Sequence, residues 1–286
     1  MAVPIVLALG CALAYGIADY CGGRASRSAP STAVTAIGQV TSLVLAVVVV
    51  TLVGTAVASP GQLAWGATAG VATAFALASF YHALSLGSMA VVAPIAAVLS
   101  AVLPIGFGLV RGERPSPVAY VGMALALAAV ALVSGFVGIG RTGPRGSATA
   151  CGYAAVAGVG FALIFVALGQ TTDESGVWPL VAARLVTVAL MVGVLATQRV
   201  VRVPVGRSIL GLAVGTGVLD IVANVLFLLA ARRGLLSIVV VIAALYPVST
   251  VILALALDRE RVSRSQAAGM AMAVGALVLV SISGAT

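Results

Sequence analysis

The residues in this sequence with most capacity for chemistry are ionisable side chains inside apolar runs. Asp220 lies in such a run, with Thr216 and Asn224 four residues to either side. Residues spaced by four lie on one face of a helix, so the three residues predict a polar stripe. A carboxylate there can bind a cationic group or exchange a proton, or it can be held by an internal hydrogen bond.

Arg184 is the second candidate, two turns into another apolar run. At a rise of 1.5 Å per residue, Arg184 lies about 10 Å from one membrane face, and Asp220 lies about 15 Å from that same face. This depth predicts an Arg184–Asp220 pair. The alternative is that the long arginine side chain extends to the nearer interface.

Two tyrosines and a second aspartate complete the candidate translocation residues. Asp19 follows Tyr15 by four residues and precedes Arg24, so it can contact a substrate or form an interfacial ion pair. Tyr246 adjoins Pro247, where a helix break would let it line a gate.

The elements that carry these residues must be membrane helices. The chain is 62% hydrophobic and only 8% charged, whereas a soluble domain carries about 25% charged residues. Residues 28–110 contain no Asp, Glu, Lys or Arg. Because one crossing takes roughly 20 apolar residues, this segment must cross the bilayer several times. Continuous apolar runs argue against the alternation of a membrane barrel. Ten helices are predicted, over 3–22, 31–53, 62–82, 89–110, 117–137, 147–169, 177–198, 208–231, 235–257 and 266–282.

The charge pattern also fits a bilayer. The net charge is +8, every basic residue is arginine, and nearly all arginines lie between apolar runs, where they contact lipid headgroups. We therefore expect a lipid bilayer and a small-molecule substrate as partners, and no nucleic acid. The three cysteines match no metal site or disulfide framework. We expect no metal and no cofactor, although a proton or another ion could drive the protein.

An internal repeat divides the chain. Residues 112–116, Gly-Glu-Arg-Pro-Ser, correspond to 259–263, Arg-Glu-Arg-Val-Ser, and the same shift continues into the following helix. This predicts two repeats, 1–140 and 141–286, with five helices each. Because five is odd, the second repeat enters the membrane from the opposite side. The fold class is thus all-α integral membrane, with ten transmembrane helices as two inverted five-helix repeats.

Three segments carry a family resemblance: the proline helix from Pro247 to Glu260, the aromatic helix end at 80–87, and the opening segment 15–23. With them the whole chain resembles the drug/metabolite transporter superfamily, EamA-type. The resemblance implies a multi-pass transporter of the plasma membrane, monomer or homodimer, with cytoplasmic termini. The arginine count opposes that orientation, with ten in the odd-numbered loops and four in the even-numbered ones.

The leading functional hypothesis is a secondary transporter, an exporter of amino-acid-like or toxic small metabolites. An uptake permease of the same fold is the alternative. A channel or an intramembrane enzyme is less favoured, because the sequence contains no hydrolase or zinc-protease motif. It also contains no lysine and no phosphate-binding loop, so it is not expected to use ATP.

Several further residues are given structural roles. Gly66 and Gly70, like Gly211 and Gly215, are expected to permit close helix approach. The other assignments are interhelical hydrogen bonds for Thr35, Gln39 and Ser42, helix-end ion pairs for Glu113 and Glu260, a structural role for His82, and helix interruption with gating for Pro94, Pro104 and Pro247.

Overall fold

The structure is a computed structural model that describes residues 2–26, 28–29, 31–54, 56–86, 89–133, 148–197, 206–258 and 264–283. Within these ranges the chain is helical and contains no strand. A short 3-10 helix, Asp173–Ser175, precedes α7. The helices are α1 (Ala2–Ser26), α2 (Ser31–Val53), α3 (Pro60–Leu86), α4 (Met89–Val110), α5 (Pro117–Val133), α6 (Ala148–Gly169), α7 (Trp178–Thr197), α8 (Arg207–Ala231), α9 (Leu236–Ala243), α10 (Tyr246–Asp258) and α11 (Arg264–Ser283).

Within the described residues a helix lies in each of the ten predicted segments, which confirms the all-α membrane class. In the described part of the chain, five helices are long and apolar enough to cross a membrane: Val3–Ser26, Thr32–Val53, Pro60–Phe80, Ala148–Gly169 and Arg207–Ala231. The other apolar helices are shorter. The predicted repeat boundary at 140/141, the end of the fifth helix at 137, and Glu260 lie outside the described residues.

The ninth predicted helix, 235–257, is not continuous. It ends at Ala243, and α10 begins at Tyr246 after a two-residue turn. Pro247 has no N–H to donate to the Ala243 carbonyl, and its ring would clash with that oxygen in a straight helix, so the proline favours a break here. In contrast, α4 runs unbroken through Pro94 and Pro104. The expected interruption is therefore correct at Pro247 and wrong at the other two prolines.

The helices pack through small residues and turn larger ones outward. Most buried apolar residues are alanines, whereas Val44, Phe75, Leu185 and Val218 are exposed. This arrangement suits lipid, because association there depends on close backbone approach instead of the hydrophobic effect.

The predicted glycine contacts are half correct. A methyl group at Gly66 would overlap the Pro179 backbone, and one at Gly70 the Ala183 backbone, so α3 and α7 approach closely. Gly211 and Gly215 face open space instead, which makes the prediction for that pair wrong. The close contact of α8 lies two residues after Gly215, where Gly217 meets the Gly38 backbone of α2.

Helices from the two halves of the sequence are interleaved. The most extensive pairings are α1 with α8, α3 with α6, and α5 with α11, followed by α4 with α6 and α3 with α7. Helix α2 packs on α8 and α7, and α1 also packs on α10. Each of these pairs joins a helix before residue 134 to one after residue 147, so the interior is built jointly by both halves.

Candidate functional site

An ion pair between α7 and α8 forms the centre of the polar interior. Arg184 Nη2 lies 2.7 Å from Asp220 Oδ2. Arg184 Nε donates to Ser42 Oγ at 3.0 Å, and Nη1 donates to Gln39 Oε1 at 3.1 Å. Ser42 in turn donates to Asp220 Oδ2 at 2.9 Å, and Asn224 Nδ2 donates to Asp220 Oδ1 at 3.2 Å. Three helices, α2, α7 and α8, therefore share one hydrogen-bonded network.

The predicted Arg184–Asp220 pair is thus confirmed. The Arg184 side chain is only 4% exposed, so it does not extend to the membrane interface. The interhelical hydrogen bonds predicted for Gln39 and Ser42 are confirmed as well. Every nitrogen of the guanidinium and both carboxylate oxygens have a partner, which is how a buried pair offsets its desolvation.

The polar stripe on α8 faces partner helices. Thr216 Oγ1 donates to Leu212 O within α8 at 3.0 Å and lies 3.4 Å from Ala18 O of α1. Asn224 is buried, and its amide also donates to the Asp220 carbonyl at 2.8 Å. Thr216, Asp220 and Asn224 are therefore satisfied by protein groups.

Tyr15, Asp19 and Tyr246 form a second group with a different character. The Tyr15 and Tyr246 rings meet edge to face, with centroids 6.3 Å apart. Asp19 lies close enough to both tyrosines and to Asp220 to interact with them electrostatically. Of the two arginines that could pair with Asp19 at the interface, Arg24 donates from Nη1 to Tyr20 Oη at 2.9 Å, and Arg27 lies outside the described residues. Among the described residues Asp19 makes no hydrogen bond or ion pair.

Helix α10 is anchored against α1 next to this group. Ser249 Oγ donates to Ala12 O at 3.0 Å, and Thr250 Oγ1 donates to Gly16 O at 3.1 Å. A methyl group at Gly16 would overlap Ser249, so the two helices touch. The break before Pro247 thus fixes Tyr246 beside α1.

Glu113 has a role that differs from the predicted ion pair. Its carboxylate accepts the backbone N–H groups of Leu236 and Ser237, at 2.7 and 3.0 Å. These are the first two residues of α9, whose N–H groups have no partner inside the helix. The partner helix begins more than a hundred residues further along the chain, so no local sequence signal marks this cap.

The loops at the same end of the bundle are also tied together. Arg232 Nη2 donates to Thr171 Oγ1 at 3.1 Å and to Ser175 Oγ at 2.7 Å. Burial lowers the pKa of the Arg232 guanidinium, although Asp173 opposes the change. Sequence reasoning did not single out Arg232, Thr171 or Ser175.

A cavity of about 250 Å³ opens beside these loops. Arg111 donates to Gln170 Oε1 at 3.1 Å in its wall. Because the start of α1 contacts Gly234, which also lines the cavity, this end of the bundle is opposite the end that holds Asp19. The lining residues are Phe107, Gly108, Arg111, Glu113, Gly169, Gln170, Ala231, Gly234 and Leu236.

The remaining candidates have packing contacts. The His82 and Tyr153 rings meet edge to face at 4.4 Å, which agrees with a structural role for His82. Cys11, Cys21 and Cys151 are free thiols. In the ranges that the structure describes, no group of His, Cys, Asp or Glu could hold a metal ion.

A multi-pass helical bundle with a polar interior is the class that this fold and site define. Residues 148–282 match the EamA-like transporter family, so the second half of the chain is similar to these membrane transporters. The predicted resemblance is confirmed. A solved chain described as "Crystal structure of protein" has the same fold, with a TM-score of 0.81, 18% identity and 98% of each chain covered. No curated protein matches the sequence.

Proposed function

We propose that the protein is a secondary transporter that exports small organic metabolites, amino-acid-like or toxic compounds, across the plasma membrane. The observation that carries the proposal is the meeting of polar side chains from both sequence halves inside an EamA-like bundle. Ionisable groups are costly in lipid and occur there chiefly along substrate and ion pathways. The membrane bilayer and a small-molecule substrate are the partners that this function requires.

Alternating access between two inverted repeats, 1–140 and 141–286, is the proposed mechanism. The helix pairings support it. If α9 and α10 are counted as one helix, each helix of the first half has a counterpart five positions later, and exchanging counterparts reproduces the pairings. The α1–α8 contact corresponds to α6–α3, α2–α8 corresponds to α7–α3, and α5–α11 corresponds to itself. A twofold relation of this kind gives two similar conformations, one open to each side.

The break before Pro247 provides a place where such a change can occur. A helix end frees backbone carbonyls and lets the two segments move separately. We assign the gate to Tyr246 and Pro247, with Pro94 and Pro104 of α4 in the equivalent helix of the first repeat. Since α4 is unbroken, its prolines would act by bending the helix.

Charge inside the bundle determines how transport is driven. The Arg184–Asp220 pair fixes α7 against α8. When the pair opens, Asp220 can exchange a proton, and either partner can contact a substrate. We propose a protein without cofactor, driven by a proton or another ion, with cytoplasmic termini. A monomer suffices for this mechanism, and a homodimer would leave it unchanged.

Counterflow into liposomes tests the function. Purified full-length protein is reconstituted with unlabelled amino acids, amines, sugars or organic acids inside, and uptake of the same labelled compound is followed. A transporter accumulates label transiently above equilibrium in at least one of these exchanges. Equilibration without an overshoot would indicate a channel, and conversion of the compound would indicate an enzyme. If cells that produce the protein accumulate more of the substrate than cells that lack it, the direction of transport is uptake and not export.

A further inference from the structure

Three polar side chains of the interior have no protein partner. Within the described ranges, neither Tyr15 nor Tyr246 uses its hydroxyl in a hydrogen bond, and Asp19 has no hydrogen bond or ion pair. In the neighbouring network, Arg184 and Asp220 are fully bonded. An unpartnered carboxylate in a membrane bundle is costly, so a ligand or water must satisfy it.

The direction of the Asp19 side chain follows from the contacts of α1. Ala18 lies against Thr216 of α8, and Gly16 lies against Ser249 of α10. With 3.6 residues per turn, successive residues are rotated by about 100° around the helix axis. On α1, position 19 therefore lies between the side that contacts α8 and the side that contacts α10. Asp19 therefore points into the bundle between these two helices.

Asp19 is nevertheless exposed. Its carboxylate is therefore accessible from outside the protein although it lies between two helices. Tyr15 precedes Asp19 by one turn on the same face of α1 and is half-buried, as is Tyr246 on α10. The Tyr15 and Tyr246 rings are in contact, so polar groups from both sequence halves lie next to one another here.

We propose that Asp19, Tyr15 and Tyr246 form a binding site for the ammonium group of an organic amine. Arg184 pairs with Asp220, whereas Asp19 is a carboxyl group with no basic partner among the described residues. Tyrosine rings attract cations through their faces, and their hydroxyl oxygens accept N–H donors. This assignment rests on the proposed transport function and adds its substrate class.

The test uses the full-length protein with four labelled amines, choline, tyramine, cadaverine and lysine, and with succinate and glucose as non-amines. Counterflow in liposomes reports transport, and the Tm of the detergent-solubilised protein reports binding. The variants are Asp19→Asn and Asp19→Glu. The matched control is Glu174→Gln, which removes a carboxylate from an exposed loop.

We expect at least one amine to exchange and to raise the Tm of the wild type. Asp19→Asn should reduce that exchange by at least about tenfold, the change that accompanies loss of a contact of about 1.4 kcal/mol. Asp19→Glu should retain part of it, and Glu174→Gln should behave as wild type. If Asp19→Asn does not fold, Tyr246→Leu, which removes both the ring and the hydroxyl, should weaken amine binding more than Tyr246→Phe, which keeps the ring.

Two results would overturn the amine site: an amine exchanged at the wild-type rate by Asp19→Asn, or no amine that raises the Tm. Exchange of succinate or glucose in the absence of amine binding would overturn the site while leaving transport intact. An amine that raises the Tm without exchanging would support the site and contradict secondary transport.

Discussion

At the scale of single residues, some polar side chains of the interior are fully hydrogen-bonded to the protein, and others have no hydrogen bond to it. Arg184 donates to three different partners, and Asp220 receives three side-chain contacts. These contacts fix the geometry of α2, α7 and α8. Asp19, which lacks such partners among the described residues, has both carboxyl oxygens available to a ligand.

The Arg184–Asp220 pair can be measured by a double-mutant cycle. Arg184→Ala and Asp220→Ala should each lower the free energy of unfolding, because each leaves a buried charge without its partner. The double variant should cost less than the sum, with a coupling of about 1 kcal/mol, since polar contacts in membranes are weak. Unfolding in mixed micelles gives the three values, and strict additivity would mean that the pair does not contribute.

At the scale of helices, close approach depends on which glycines face a neighbour. Gly66→Ala should destabilise the protein by about 1–3 kcal/mol, because the methyl group must displace the Pro179 backbone. Gly211→Ala is the matched control, because nothing lies near that position. It should be neutral or stabilising by about 0.5–1 kcal/mol, as alanine favours a helix over glycine. Equal Tm changes for the two variants would contradict the packing of α3 on α7.

The break between α9 and α10 leads to a second prediction at this scale. Pro247→Ala restores an N–H that can bond to the Ala243 carbonyl, so the two short helices can join. If the break serves as a gate, counterflow should slow several-fold while the substrate concentration for half-maximal exchange changes little. Pro104→Ala, in the continuous α4, should slow exchange less. An unchanged rate for Pro247→Ala would remove the break from the transport cycle.

Hydropathy and depth were sufficient to predict the helices and the central pair. The apolar runs gave most helix ends to within a few residues, and counting along them placed Asp220 within reach of the long Arg184 side chain. The side of each helix that packs against a neighbour could not be predicted in the same way. Gly211 and Gly215 have the four-residue spacing typical of a close helix contact, but in the structure Gly217 makes that contact. The Glu113 cap and the free state of Asp19 depend on residues distant in sequence, so only the packed structure reveals them.

At the scale of the whole molecule, the number of crossings fixes the relation of the two ends. Ten crossings put both termini on the same side of the membrane. Reporter fusions at residues 1 and 286 should therefore give the same readout, and the cytoplasmic one is expected. Opposite readouts would contradict both the ten-helix count and the inverted repeat. Non-cytoplasmic readouts at both ends would be consistent with the ten-helix fold, and they would favour the orientation that the arginine count indicates over the one that the family pattern implies.

The pairing of α1 with α8 has a consequence for synthesis of the chain. Close to 200 residues separate the two helices, and a ribosome adds roughly 5–20 residues per second. For about 10–40 s, α1 must reside in the membrane before its main neighbour is made. During that interval Asp19 has neither α8 nor α10 beside it. The nascent protein therefore depends on the insertion machinery, or on water near the headgroups, to accommodate the Asp19 carboxyl group until α8 and α10 have been made.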